Sequence, residues 1–110
     1  MNRLLEQYVV DVDYPAVSGI EHLQMLETRS QLSTIKAQLS SAEQRALATA
    51  DHKLATHAVA FLAELNRFVN LAQERQLRQI GPQEWWWYLD VLVQVPALPQ
   101  RDTLAPLIPA

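Results

Sequence analysis

The sequence predicts an all-α protein, a helical hairpin or bundle around one long central helix over about residues 41–79. Two observations support this class. Neither glycine nor proline occurs between Gly19 and Gly81, and these residue types are the strongest breakers of a helix. Within that stretch, large apolar residues recur every seven positions, a spacing typical of helices that pack along a seam. The alternative class is a small α+β domain in which N- and C-terminal strands pair.

Length and composition predict a single folded domain. A chain of 110 residues with 49% hydrophobic and 19% charged residues is typical of one globular unit rather than of a disordered chain. We expect this helical domain to cover residues 1–95 and a proline-rich C-terminal tail to cover residues 96–110. The absence of cysteine excludes disulfides and thiolate zinc sites.

Charge and hydropathy exclude two further classes of protein. The formal net charge of −3 argues against a nucleic-acid-binding protein, because such proteins carry a basic patch. No apolar run approaches the roughly 20 residues that a membrane-spanning helix needs, and no signal peptide opens the chain. We therefore expect a cytoplasmic protein with no integral membrane segment and no nucleic-acid partner.

The N-terminal segment carries two competing patterns. A helical face capped by Asn2 is formed by Leu4, Leu5, Tyr8, Val9 and Val12. Valines and a tyrosine also alternate with Asp11 and Asp13, which is typical of a strand. We favour a short helix that runs into an extended link before Pro15.

The next two helices are separated by a predicted turn near Ser40. The first helix covers about residues 16–39, with Met25, Leu32 and Leu39 spaced seven apart. Ser40 and Glu43 have the spacing of a capping box, in which a serine and a glutamate satisfy each other's backbone N–H groups at the start of a helix. The alternative is one continuous helix through this point.

The central helix has the most regular seam. Its apolar positions are Leu47, Leu54, Phe61 and Phe68, with Ala58, Leu65 and Ala72 between them. The spacing predicts a helix that ends at Gly81-Pro82 and has a length on the order of 58 Å. The preceding helix covers only about 36 Å of it. Either the long helix bends near residues 49–51 or a second copy covers the remainder, and we expect a homodimer.

Residues 83–95 form the most unusual stretch and include three consecutive tryptophans. As a helix this stretch is apolar on most sides, with Trp87 at the solvent-facing edge. As a strand it aligns Trp85, Trp87 and Leu89 on one side, so its secondary structure stays open. Three adjacent indoles do not share one core face, and we therefore expect at least one of them to be exposed or in an interface.

No pattern of residues predicts catalysis. The histidines are His22, His52 and His57, and no two of them have the spacing that places two metal ligands on one helical face. We expect all three to be solvated on helix surfaces. Asp11 and Asp13 lack a third oxygen ligand at a known spacing. We therefore predict no catalytic residues, no cofactor, no metal and no enzymatic activity.

The sequence favours a non-enzymatic module for protein–protein interaction or assembly, in an unknown pathway. Its binding surface is predicted to be an aromatic patch around residues 85–88 together with the proline-rich tail. Arginine beside tryptophan is typical of binding hot spots, so the predicted partner-binding residues are Trp86, Trp87, Arg75 and Arg78.

Two other functions stay open. One is a binder of a small molecule or lipid, with an apolar pocket between helices lined by Trp85, Tyr88, Phe61 and Phe68. The other is association with a membrane surface through the tryptophan-rich segment. The second is disfavoured because the polar stripe of that segment, Asp90 and Gln94, lacks the cations typical of interfacial helices.

Overall fold

A computed structural model of the chain describes residues 1–94, and the described residues form helices without any strand. The helices are α1 (Arg3–Asp11), α2 (Gly19–Ile35), α3 (Ser41–Thr56), α4 (Ala58–Leu65), α5 (Leu71–Arg78) and α6 (Leu89–Leu92). Single 3₁₀ turns cover Lys36–Gln38 and Trp85–Trp87. The all-α prediction is confirmed, and the predicted pairing of terminal strands is not found among residues 1–94. The predicted tail, residues 96–110, lies outside the described residues.

The packing order places α2 at the centre of the molecule. It contacts α1, α4 and the 3₁₀ turn of the tryptophans, while α1 also contacts α3 and α6 packs on α4 and α5. The core is built from leucines and aromatics of every helix, among them Leu5, Leu26, Leu54, Phe61 and Leu89. Among residues 1–94, none of the helices has both the length and the apolar character needed to cross a bilayer.

The N-terminal helix and the turn near Ser40 follow the sequence-based predictions. The Asn2 side chain caps α1 by accepting hydrogen bonds from the backbone N–H groups of Leu4 and Leu5. Ser40 and Glu43 form the predicted capping box at the start of α3. Glu43 also accepts from the Asn2 N–H at 2.8 Å. These backbone N–H groups of Ser40 and Asn2 lower the pKa of the Glu43 carboxyl.

The predicted long central helix is wrong, because residues 41–79 form three helices. His57 leaves helical geometry at φ −103° and ψ 23° and separates α3 from α4. Residues 66–70 form a turn, after which the Asn70 side chain caps α5 by accepting from the Gln73 N–H. The break therefore lies at His57 and not at residues 49–51.

The division of the central segment lets its apolar seam fold into one core. Leu47, Leu54 and Phe61 of the seam are buried, whereas Phe68, beyond the end of α4, is 53% exposed. A straight helix would have left much of this seam in water, which is costly for apolar surface. Folding back gives a Cα radius of gyration of 14.3 Å. The argument for a homodimer from helix length therefore no longer applies.

The end of α5 differs from the predicted stop at Gly81-Pro82. The helix ends at Arg78, and Gln79 adopts the left-handed conformation at φ 57°. The Gln79 N–H donates to the carbonyls near the end of the helix, as at a C-terminal cap. Residues 83–94 are neither one helix nor one strand, because a 3₁₀ turn over the tryptophans precedes the single turn of α6.

Candidate functional site

The structure brings the predicted partner-binding residues together beside α2. The Arg75 guanidinium lies over the Tyr88 ring, 4.4 Å from its centroid. The Arg78 guanidinium lies over the Trp87 ring at 4.7 Å. Trp86 has its own cation, because Arg29 of α2 lies 4.1 Å from its ring centroid. Each of these aromatic rings therefore stacks with an arginine of the same chain.

The two indoles in this cluster face inward. Trp86 is 2% exposed and Trp87 is 1% exposed, so the prediction that Trp87 lies at the solvent-facing edge is wrong. Both indole N–H groups donate to the Ser30 Oγ, at 3.0 Å from Trp86 and 2.8 Å from Trp87. The Ser30 hydroxyl donates in turn to Glu84 at 2.9 Å. Two neighbouring indoles of one 3₁₀ turn thus share one hydroxyl, while Trp85 stays half-buried.

The two arginines of α5 are already bonded within the chain. Arg75 donates to both carboxylate oxygens of Asp90, at 2.6 and 3.2 Å, and to the Trp87 carbonyl at 2.9 Å. Arg78 forms ion pairs with Glu27 and Glu74, each at 2.9 Å. These contacts hold the tryptophan segment and α6 on the helices beneath. The geometry thus favours an intramolecular role for both arginines.

A buried polar network joins α1, α2 and α3. Arg29 donates from Nε and Nη2 to the two oxygens of Asp51, at 2.8 and 3.0 Å. The Tyr8 hydroxyl donates to the same carboxylate at 2.7 Å. Burial raises the pKa of the Tyr8 phenol above its usual range, and the negative charge of Asp51 raises it further. Among residues 1–94, the Arg29 Nη1 is buried without a hydrogen-bond partner, so the network leaves one donor unsatisfied.

A small cleft opens where α1 turns into α2, and we call it the junction cleft. It has a volume of about 160 Å³ and is lined by Val10, Asp11, Tyr14, Val17, Glu21 and His22. Hydrogen bonds from the Asp13 N–H to the Val10 carbonyl and from the Tyr14 N–H to the Asp11 carbonyl form the turn. Val10 is 51% exposed and Tyr14 is 58% exposed. The cleft therefore combines exposed apolar side chains with two carboxylates.

His22 forms one wall of the junction cleft and is only 1% exposed. The prediction of a solvated surface histidine is wrong at this position, although His52 and His57 are exposed as predicted. Its ring packs edge-on against Phe61 with centroids 4.6 Å apart. Its Nε2 lies 2.9 Å from the Pro15 carbonyl oxygen. A carbonyl only accepts, so Nε2 carries the proton, and the Nδ1 of neutral His22 is an acceptor.

Asp11 lies at the end of α1 and is half-buried. Burial raises the pKa of its carboxyl, the hydrogen bond from Gln7 lowers it, and the nearby Glu21 carboxylate raises it again. The Gln7 Nε2 donates to Oδ1 at 2.8 Å. The neighbouring His22 lowers the pKa of Asp11, opposite to the effect of Glu21.

The sequence does not predict this set of residues as a site. Asp11 and Tyr14 belong to a strand-like alternation in the sequence, His22 is predicted to be solvated, and Glu21 has no distinguishing pattern around it. The available signal was local, namely acidic residues just before Pro15. The approach of Glu21 and His22 depends on how α2 returns along α1, and periodicity within either helix does not predict that contact.

A second depression lies along α5. A groove of about 760 Å³ runs along α5 between Asn70 and Ile80, but it is wide open to solvent. Phe61 lies inside the core and Phe68 on the surface, and neither lines this groove or the junction cleft. Within residues 1–94, no group of three histidine or acidic side chains is arranged to hold a metal ion.

Comparison of the chain with protein-family models, curated proteins and solved structures gave no match.

Proposed function

We propose that the chain is a non-enzymatic protein-binding module whose partner occupies the junction cleft. The observation that supports this is the exposure of Val10, Tyr14 and Val17 around one cleft. Single exposed apolar residues are normal on a protein surface. Apolar side chains grouped around a depression with a polar rim are typical of a surface that binds another molecule.

The size of the junction cleft favours a protein partner over a free small molecule. Pockets for drug-sized ligands usually enclose about 300–1,000 Å³. The junction cleft, at about 160 Å³, is close in size to a cavity that holds a single benzene ring, about 150 Å³. It fits one side chain of a protein whose neighbouring residues lie on the exposed apolar rim.

This proposal moves the binding surface away from residues 85–88. The indoles of Trp86 and Trp87 are buried and bonded to Ser30, so they do not offer the exposed patch that the sequence analysis assigned to them. A contribution of the proline-rich tail to binding stays a prediction.

A second copy of the chain is the other occupant to consider, because the sequence analysis predicts a homodimer. A two-fold contact through the junction cleft would bring two acidic clefts into one interface. Like charges that face each other weaken association. The acidic rim therefore favours a different protein as the partner.

Selection of a displayed random-peptide library on the full chain tests the proposed function. Enriched peptides should bind with an affinity that falls about tenfold in Tyr14→Ser, the loss typical of a truncated aromatic anchor. The matched control is Leu77→Ser, which removes an exposed apolar side chain from α5. Both variants should keep the thermal stability of the parent protein, because both positions are exposed.

Three results would contradict the proposal. One is a selection that enriches no peptide. Another is a set of enriched peptides that bind Tyr14→Ser as well as the parent chain. The third is a dimer in sedimentation that is lost in Tyr14→Ser, which would assign the surface to a second copy instead.

A further inference from the structure

The outer side of α4 is apolar and lies at the surface of residues 1–94. The helix packs Ala58, Phe61 and Leu65 into the core. Its only polar residue is Glu64, and its other apolar residues are exposed or half-buried, namely Val59, Ala60, Leu62 and Ala63. Val59 is 70% exposed. A helix that is apolar on all sides is typical of one that is covered on all sides.

Three of these residues are neighbours on one surface of the helix. Val59 precedes Leu62 and Ala63 by three and four positions, a spacing that places Cβ atoms about 5–6 Å apart. We call these three residues the α4 face. It contains no charged side chain, in contrast to the acidic rim of the junction cleft. The α4 face therefore favours an apolar segment over a charged one.

The proline-rich tail, residues 96–110, has the composition that matches such a face. Its polar residues are confined to positions 100–103, and residues 104–110 consist only of leucine, isoleucine, alanine and proline. Pro106 and Pro109 lack a backbone N–H and do not continue a helix. The sequence of residues 104–110 thus favours an extended segment, whose apolar side chains gain from contact with another apolar surface.

The place where the tail begins favours α4 over α5 as the surface that it covers. The described chain ends at Gln94, just after α6, and α6 packs on α4 and α5. The exposed side of α5 is mainly polar, with Gln73 and Gln76 beside Leu77. Of the two helices next to the start of the tail, α4 therefore offers the apolar surface.

We propose that residues 104–110 fold back on the α4 face of their own chain. The linking residues 95–103 span up to about 28 Å when extended, whereas the whole of α4 is about 12 Å long. In a polyproline II helix, Leu104 and Leu107 lie on one edge about 9 Å apart, which fits within the length of α4. The covalent link gives the tail an effective concentration in the millimolar range, which favours it over the tail of a second copy. The inference concerns a face outside the junction cleft and is independent of the proposed function.

A spin label on the tail tests the inference in the full chain. The chain has no cysteine, so Thr103→Cys provides a single site for a nitroxide and leaves the apolar residues of the tail intact. The nitroxide should reduce the intensity of amide signals in the ¹⁵N-labelled protein, and the loss should be strongest at residues 59–63. Chemical reduction of the nitroxide should restore these signals.

Two variants of similar exposure show whether the α4 face is the docking surface. Val59→Ser removes an exposed apolar side chain from the face and should greatly weaken the loss of signal. Leu77→Ser removes a side chain from α5 that is 72% exposed, against 70% for Val59, and should leave the loss unchanged. In the tail, Leu107→Ser should weaken the loss as Val59→Ser does. The dispersion of the amide spectrum confirms that each variant is folded.

A mixed sample distinguishes the chain's own tail from the tail of a second copy. A ¹⁵N-labelled chain without nitroxide, mixed with an unlabelled chain that carries it, should show no loss of signal. A loss in this sample would assign the α4 face to the tail of another copy and overturn the inference. No loss within the labelled chain, a loss strongest outside residues 59–63, or an equal loss in Val59→Ser and the parent would also overturn it. The library selection decides the proposed function separately in each case.

Discussion

At the scale of single residues, Ser30 makes an unusual number of hydrogen bonds for a small side chain. A hydroxyl offers one donor and two acceptor positions. Ser30 uses all three, because it accepts from Trp86 and Trp87 and donates to Glu84. Buried indole N–H groups need an acceptor, and this one hydroxyl satisfies two of them. The inward direction of both tryptophans therefore depends on a residue more than fifty positions earlier.

Replacement of Ser30 tests this dependence. Ser30→Ala should lower the free energy of unfolding by about 1–3 kcal/mol for each indole left without an acceptor. Ser33→Ala, at an exposed position of α2, should change it by less than about 0.5 kcal/mol. Urea denaturation followed by tryptophan fluorescence measures both. A Ser30→Ala variant as stable as Ser33→Ala would show that the hydroxyl does not hold the indoles.

The buried Tyr8 phenol predicts a dependence of stability on alkaline pH. Its pKa is raised by burial first and by the Asp51 carboxylate second. The folded state therefore holds this proton more tightly than the unfolded state, whose tyrosine pKa is about 10. The resulting stability is complete below that unfolded pKa and is lost as pH rises above it.

Tyr8→Phe should remove this loss of stability at alkaline pH. Tyr14→Phe should keep it because Tyr14 is exposed. Urea denaturation at pH values from 8 to about 11 gives the slope of the free energy of unfolding against pH. This slope is compared between each variant and the parent. Identical slopes in Tyr8→Phe and the parent would contradict the assignment.

At the scale of elements, the contact between α2 and α4 requires Gly19. A Cβ at this position would overlap the Glu64 carbonyl oxygen and lie 2.9 Å from the Phe68 ring. Gly81 is different, because a Cβ there would meet the Gln83 side chain, which has room to move. The two glycines of the chain therefore tolerate substitution differently, although in the sequence both only indicate where a helix is interrupted.

Gly19→Ala should lower the free energy of unfolding by about 1–3 kcal/mol, the usual cost of inserting a group into a packed contact. Gly81→Ala should change it by less than about 0.5 kcal/mol. Thermal unfolding followed by circular dichroism measures both variants. Equal stability of the two would mean that α2 and α4 separate without cost and that the close approach is not required.

At the scale of the whole molecule, the break at His57 decides how the core is covered. The seam residues of α3 and α4 meet α1, α2 and α6 within one chain. A single chain therefore buries the apolar seam residues that a straight helix would have exposed. Exposed large apolar side chains are left both at the junction cleft and elsewhere, as at Val59, Phe68 and Leu77.

The burial of the seam residues within one chain predicts the mass of the protein in solution. Sedimentation equilibrium of the full chain should give the monomer mass over micromolar to millimolar loading, because no long apolar seam is left uncovered among residues 1–94. A mass of two chains at the lowest concentrations would contradict the expectation. It would restore the sequence-based prediction of a homodimer.

The sequence by itself determined the features that depend on near neighbours. The all-α class, the Asn2 cap and the turn with its Ser40–Glu43 capping box follow from contacts within a few residues, and all three are present. The tertiary structure alone decided where the central segment breaks, which way the tryptophans face, and that Asp11, Glu21 and His22 share a cleft. Those outcomes depend on contacts between residues far apart in the chain. Periodicity shows that a face is apolar, but it does not show which other face covers it.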